Sequence, residues 1–191
     1  MFVQSGIKTE FTAKLVAAVA KLTTGSSLDP STTQGPLINK AAVAKVDSHV
    51  KDAVAKGASI EIGVRPVPSN GFFYQPTVLS GAHEDMMLAS DETFGPLAPI
   101  FEFETEADAV RMANATEFGL AGYFFSRNVG RCMRVARKLQ VGMVGVNTGR
   151  ISAAEAPFGG VKESGYGREG SLYGMQEYQV IKSVTIGNQD R

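Results

Sequence analysis

Glu92 and Phe94 stand two residues apart in the stretch Asp91-Glu92-Thr93-Phe94-Gly95-Pro96-Leu97. In an extended segment side chains at i and i+2 share a face, so both can meet one ligand. An ionised carboxylate accepts two hydrogen bonds at once, which suits a vicinal diol such as a ribose, and a flat ring can pack on an attached base. Pro96 fixes its own φ and drives Gly95 out of the helical region, so the pair is expected on a stiff corner. The same seven residues also read as a surface turn with a buried Phe, and motifs this short recur by accident.

The second chemistry-bearing stretch, from Asn147 to Gly170, holds six glycines: Gly149, Gly159, Gly160, Gly165, Gly167 and Gly170. It is longer than an ordinary connection and too rich in small residues for a helix or strand, which marks it as a functional loop. Inside it, Gly165-Tyr166-Gly167-Arg168-Glu169-Gly170 matches the dinucleotide fingerprint letter for letter. That fingerprint works only between an apolar strand and a long helix. Here Lys162-Glu163-Ser164 precede and a brief Leu172-Tyr173 turn follows, so it is not read as a phosphate cradle. The lone thiol, Cys132, shares a helical face with Val135, Ala136 and Leu139 and is expected to point into a core. Arg127, Arg131, Arg134 and Lys138 line the opposite side, either an anionic docking stripe or a solvated face.

Alternating elements must position these loops. Phe2-Val3-Gln4 reads as the end of a strand, which is odd for a complete domain. Phe11, Leu15, Val19 and Leu22 then mark an amphipathic helix. A polar loop from Gly25 to Pro36 leads to a helix with the stripe Val43, Val46, Val50, Val54, opened by Asn39 as N-cap and closed by Gly57. Strands are expected over Ser59 to Val64 and, after the turn cluster Pro66, Pro68, Ser69, Asn70 and Gly71, through Thr77-Val78-Leu79, where Pro76 suggests an edge or broken strand. Pro99 to Phe103 is the next strand, and Thr105 with Asp108 resembles a capping box for a short helix. Leu120 to Phe125, a helix from Asn128 to Leu139, and Met143 to Val146 follow. The alternation predicts an α/β fold with a largely parallel sheet and flanking helices, whose ligands sit at the carboxyl ends of strands. Gln176 to Ile186 reads as a terminal strand that must pair within the chain or across a subunit boundary.

Composition narrows the function classes. With 19 basic and 19 acidic residues among 191, the chain lacks the basic excess that nucleic-acid or membrane-surface binding usually needs. No apolar run reaches the length of about 18 residues of a membrane span, and the first residues lack a signal-peptide pattern. A single Cys cannot make an internal disulfide, so an intracellular compartment, cytoplasmic or mitochondrial, is expected.

Glu92-Thr93-Phe94-Gly95-Pro96, followed by Pro157-Phe158-Gly159-Gly160-Val161-Lys162-Glu163-Ser164-Gly165, resembles the aldehyde dehydrogenase superfamily over nearly the whole chain. Gln34-Gly35-Pro36-Leu37-Ile38, Asn147-Thr148-Gly149 and Gly167-Arg168-Glu169-Gly170 resemble more narrowly the succinate-semialdehyde dehydrogenases. The resemblance implies that residues 1–175 are the C-terminal portion of the catalytic domain and 176–191 an oligomerisation strand and tail, used in a homo-oligomer, dimer or tetramer. It implies NAD or NADP as cofactor and a small-molecule aldehyde as substrate. Glu92 then matches the carboxylate on the nicotinamide ribose, Phe94 the aromatic beside the nicotinamide, and Phe158 the aromatic of the substrate tunnel. Ser152 matches a serine that binds the substrate carboxylate, although it also reads as a solvated loop hydroxyl. The family's nucleophilic Cys, base and nucleotide-binding domain precede the Phe2-Val3-Gln4 strand, and Cys132 does not occupy the nucleophile's place. The chain is therefore expected to be inactive alone, or to serve as a non-catalytic assembly module.

Overall fold

A computed structural model describes residues 1–64 and 71–187. The chain folds into two compact units, Met1–Ala109 and Val110–Arg191. Four of the five residues expected in a turn cluster, Pro66, Pro68, Ser69 and Asn70, lie outside the described residues.

The first unit is built on a four-stranded sheet in the order β1-β4-β3-β2, from β1 (Phe2–Gln4), β2 (Ser59–Ile62), β3 (Thr77–Ala82) and β4 (Leu97–Phe103). β1, β4 and β3 run parallel and β2 is antiparallel. Helix α1 (Lys8–Val19) presents Phe11, Leu15 and Val19 to the buried cluster Val3, Val78 and Ile100. This is the face its spacing predicts. By strand alternation Thr77 and Leu79 point the other way, and they are buried too, so β3 is covered on both sides. Helix α2 (Lys40–Ala55) buries Val46, His49, Val50 and Ala53. Its N-cap is the expected Asn39, whose side chain accepts from the Ala42 amide at 2.9 Å, and Gly57 beyond its end sits at φ 101°. A short helix α3 (Met87–Ser90), without a sequence signal of its own, precedes the Asp91 loop.

Two prolines correct the sequence reading. Pro76 does not push β3 to an edge, because β3 lies between β4 and β2. The ladder begins one residue later, where the Thr77 amide donates to Pro96 O at 2.9 Å, so the missing N–H costs no ladder bond. Pro99 lies inside β4 rather than opening it. Pairing with β1 starts at Phe2 opposite Phe101, so Pro99 stands at the end of that ladder and uses only its carbonyl, which accepts from the Met1 amino group at 2.7 Å.

Helix α4 (Glu106–Asn114) carries the chain across the division between the units and opens on the expected box. The Thr105 amide and hydroxyl donate to Asp108 Oδ2 at 3.0 and 2.7 Å, and the Asp108 amide donates back to Thr105 Oγ1 at 3.2 Å. The second unit pairs β6 (Ala121–Phe124) in parallel with β7 (Met143–Val146), and β5 (Phe118–Gly119) antiparallel with β8 (Val161–Lys162). Helix α5 (Val129–Lys138) is capped by Asn128, whose side chain accepts from the Arg131 amide at 2.8 Å. Cys132, Val135, Ala136 and Leu139 are the half-buried positions of this segment, on the expected face but not fully enclosed.

Among the described residues, the expected terminal strand does not form. Residues Tyr173–Tyr178 make a 3-10 turn, and 179–187 join no ladder. Their alternating Val180, Val184 and Ile186 are exposed.

Candidate functional site

The Asp91-to-Leu97 loop is tightened by two three-residue turns. The Gly95 amide donates to Thr93 O at 2.9 Å and the Leu97 amide to Gly95 O at 2.8 Å, with Phe94 and Pro96 at their centres. A proline φ suits that central position. Side chains then alternate as the i, i+2 argument requires. Asp91 and Thr93 bond to α2, while Glu92 is exposed and Phe94 is 81 % exposed. A surface turn with a buried Phe is thereby excluded. Gly95 packs so tightly that an added Cβ would stand 2.5 Å from Val46 Cγ2, which explains why this corner has no side chain.

The anchors were not legible as such in the sequence. His49, at 0 % exposure, sets Nδ1 2.5 Å from Thr93 Oγ1 and Nε2 3.2 Å from Asp91 Oδ2. Lys45 Nζ donates to Asp91 Oδ1 at 2.8 Å. The Lys45 ammonium beside it, with further help from His49, holds the Asp91 carboxyl below its ordinary range. The available signal was a histidine inside an otherwise apolar stripe of Val46, Val50 and Ala53, which demands a polar partner.

In the second unit, Ser152 and Phe158 share the loop after β7. Ser152 is exposed on a stretch without regular structure, and Phe158 is 36 % exposed. Phe158 is held by a two-way bridge, its amide donating to Glu169 O at 2.8 Å and the Glu169 amide to Phe158 O at 2.7 Å. Next to it the backbones approach closely, as expected of Gly159 and Gly160. A Cβ on Gly142 would fall 2.0 Å from Gly159 O, and one on Gly159 would fall 2.6 Å from Gly167 O. Thus Glu92 and Phe94 share one loop in the first unit, and Ser152 and Phe158 another in the second.

The glycine fingerprint is structural, as its flanks suggest. Arg168 Nη1 donates to the carbonyls of Gly160 and Gly167 at 2.7 and 2.6 Å, and only the 3-10 turn follows. Lys162 likewise spends its ammonium on the carbonyls of Asn114 and Thr116 at 3.1 and 3.0 Å. Cys132 Sγ, on the half-buried face of α5, donates to Ser126 O of the preceding loop at 3.5 Å. Among the described residues no cluster of three or more His, Cys, Asp or Glu is arranged to hold a metal. Among them, too, no helix is long and apolar enough to cross a membrane.

Comparison with known proteins identifies the family. The aldehyde dehydrogenase family model matches residues 1–184. The chain is 51 % identical over 187 residues to a glutarate-semialdehyde dehydrogenase of Pseudomonas aeruginosa, covering 98 % of this chain and 39 % of the relative. It is 53 % identical over 186 residues to the mitochondrial succinate-semialdehyde dehydrogenase of Mus musculus, covering 97 % and 36 %. The crystal structure of succinate-semialdehyde dehydrogenase from Burkholderia pseudomallei superposes with a TM-score of 0.93 at 55 % identity, over 95 % of this chain and 38 % of that one. The betaine aldehyde dehydrogenase of Staphylococcus aureus in complex with NAD+ gives a TM-score of 0.88 at 38 % identity, over 94 % and 36 %. The chain thus spans well under half the length of the relatives it matches, with an α/β fold that follows theirs over that part, and it belongs to the aldehyde dehydrogenase family.

Proposed function

We propose that these residues supply the cofactor-ribose loop and the substrate loop of an NAD(P)-dependent dehydrogenase that oxidises a semialdehyde carrying a distal carboxylate, succinate semialdehyde first among candidates. The observation that carries this reading is the outward pair Glu92 and Phe94 on a loop whose alternate residues are anchored. An exposed carboxylate two residues from an exposed ring fits a ribose diol with its attached nicotinamide. When bound, NAD or NADP accepts the hydride in such a reaction. Glu92 binds the ribose hydroxyls, Phe94 packs beside the ring, Phe158 lines the substrate path and Ser152 donates to the distal carboxylate. The names of the relatives, succinate- and glutarate-semialdehyde dehydrogenases, support that substrate class. Family chemistry also needs a thiolate nucleophile and a base. On this reading Cys132, which donates to a carbonyl from a helix face, is not that nucleophile, and the 191 residues alone are proposed not to complete the reaction.

The test is a hybrid in which residues 1–184 replace the matching segment of the Escherichia coli succinate-semialdehyde dehydrogenase (NADP+), to which the chain is 49 % identical over 187 residues. The hybrid should oxidise succinate semialdehyde. In it Glu92→Gln should raise the cofactor KM by about tenfold, and Ser152→Ala should raise KM for the semialdehyde but not for a neutral aldehyde of equal length. A folded but inert hybrid, or a silent Glu92→Gln, defeats the reading. The 191-residue chain incubated alone with substrate and NAD or NADP should form no reduced cofactor at enzymatic rates.

A second reading concerns assembly and compartment. Tyr178, Val180, Ile181, Val184 and Ile186 leave an apolar ribbon uncovered at the end of the described chain. Such a ribbon suits addition to a sheet edge of a second copy, giving a dimer or tetramer. On this reading the chain can also act as a non-catalytic assembly module within the same intracellular setting, cytoplasmic or mitochondrial. Light scattering after removal of residues 179–191 should show a smaller species, and an unchanged mass defeats this reading.

A further inference from the structure

Helix α2 runs beside the chain from α3 to Gly95 and touches it through one face. Asp52 Oδ2 accepts from the Met87 amide at 2.8 Å. His49 and Lys45 grip the two oxygens of Asp91, and His49 also meets Thr93. Val46 closes on Gly95. Positions 45, 46, 49 and 52 fall on adjacent turns of the helix, so a single rigid element presents all four contacts.

The loop contacts are made by residues 91, 93 and 95, all odd. In a segment of period two that leaves residues 92 and 94 turned away, which is how Glu92 and Phe94 stand. Both ring nitrogens of His49 are engaged, so the ring cannot turn without releasing a partner. The ionised Asp91 carboxylate only accepts, which places a proton on Nε2. In the neutral ring Nδ1 then accepts from the Thr93 hydroxyl.

We propose that His49, assisted by Lys45, is a positioning residue that sets the outward projection of the Glu92 and Phe94 side chains toward the cofactor. What the loop presents rests on the ribose reading above, whereas the anchoring itself is a property of α2 and the loop. His49 touches neither substrate nor cofactor and acts through Asp91 and Thr93.

Two measurements on the hybrid described above separate the two claims. Hydrogen exchange across residues 91–97 should accelerate about tenfold in His49→Ala and by a smaller factor in Lys45→Met, as expected for loss of one or two hydrogen bonds. Exchange at Phe101, whose amide bonds to Met1 O, should stay at the wild-type rate. His49→Asn, which keeps a group near Nδ1, should recover part of the protection. Titration with NAD+ or NADP+ should show weaker binding in His49→Ala and in Glu92→Gln, with Glu92→Gln leaving the exchange pattern unchanged. Should His49→Ala fail to fold, Thr93→Val and Lys45→Met carry the same expectation, because neither enlarges a cavity around the ring. Unchanged exchange over 91–97 in the anchoring variants overturns the positioning role, as does a loosened loop that still binds cofactor at wild-type strength while Glu92→Gln does not. Wild-type cofactor binding in Glu92→Gln instead overturns the ribose reading.

Discussion

Asn147 and Ser126 clasp each other at the carboxyl ends of the parallel strands β6 and β7. Asn147 Oδ1 accepts from the Ser126 amide at 2.8 Å and its Nδ2 donates to Ser126 O at 2.9 Å. Asn147 takes φ 56°, a left-handed conformation that Asn tolerates better than most residues. The clasp marks where the chain leaves β7 for the loop that carries Ser152 and Phe158. Asn147→Ala loses both bonds and keeps the strained φ, and should destabilise the second unit by about 1–2 kcal/mol. Asn147→Gly should cost less, because the conformation is then unstrained. Chemical denaturation of the three proteins checks the order.

Gly95→Ala would drive a methyl group into Val46, a core residue of α2 with little room to yield. Overpacking of this kind costs about 1–3 kcal/mol. The larger effect should be on the loop, shifting the pair Glu92 and Phe94. Val46→Ala removes the obstructing methyl groups, so the double variant should be less impaired than the two single effects added together. A double-mutant cycle on stability and on cofactor binding measures that coupling.

Tyr74 is fully buried, and its hydroxyl has no hydrogen-bond partner among the described residues. Burial, with the nearby Asp47 charge adding to it, pushes the phenol up to about 12. Tyr74→Phe removes an unsatisfied polar group and keeps the ring, and should stabilise the first unit by about 1 kcal/mol. Between its ordinary value of 10.0 and 12 the folded form holds this proton more tightly than the unfolded form. Stability should therefore fall as pH rises through that window, and Tyr74→Phe should fall less. Thermal melts from pH 9 to about 12 test both statements.

Asp91 anchors the loop to α2 and Asp52 anchors the start of α3 to it, and both carboxyls are held below their ordinary value of 3.8. Lys45 is the main cause for Asp91, and Lys56, followed by the Met87 amide, for Asp52. A depressed carboxylate contributes stability that is present above its unfolded value and lost as pH falls through the folded one. The wild type should thus resist unfolding better than Asp91→Asn at neutral pH, and the two should converge below 3.8. A difference that persists at lower pH would mean that the carboxylate charge is not what holds the loop.

Local features carried their information in local sequence. The Asn39 cap, the α1 face of Phe11, Leu15 and Val19, and the box of Thr105 and Asp108 arise from neighbours within a few residues, where the backbone's own periodicity decides the outcome. Their structures follow the expectation. Pro76 and Pro99 misled because their cost depends on which ladder bond is missing, and that is known only once the neighbouring strands are placed.

By itself the sequence determined the α/β alternation, the two loops and the family, because helical and strand periods and turn chemistry act at short range. It also settled that Gly165 to Gly170 lacks the flanks of a phosphate cradle, and Arg168 now explains what that segment does instead. Only the tertiary structure decided which way the Asp91 loop faces. Partners 42 to 46 positions away, Lys45 and His49 for Asp91 and Thr93, select the parity that turns Glu92 and Phe94 outward. It alone showed, too, that residues 179–187 find no ladder among the described residues. A strand's hydrogen bonds need a second strand, and no pattern along a single segment specifies where that strand is.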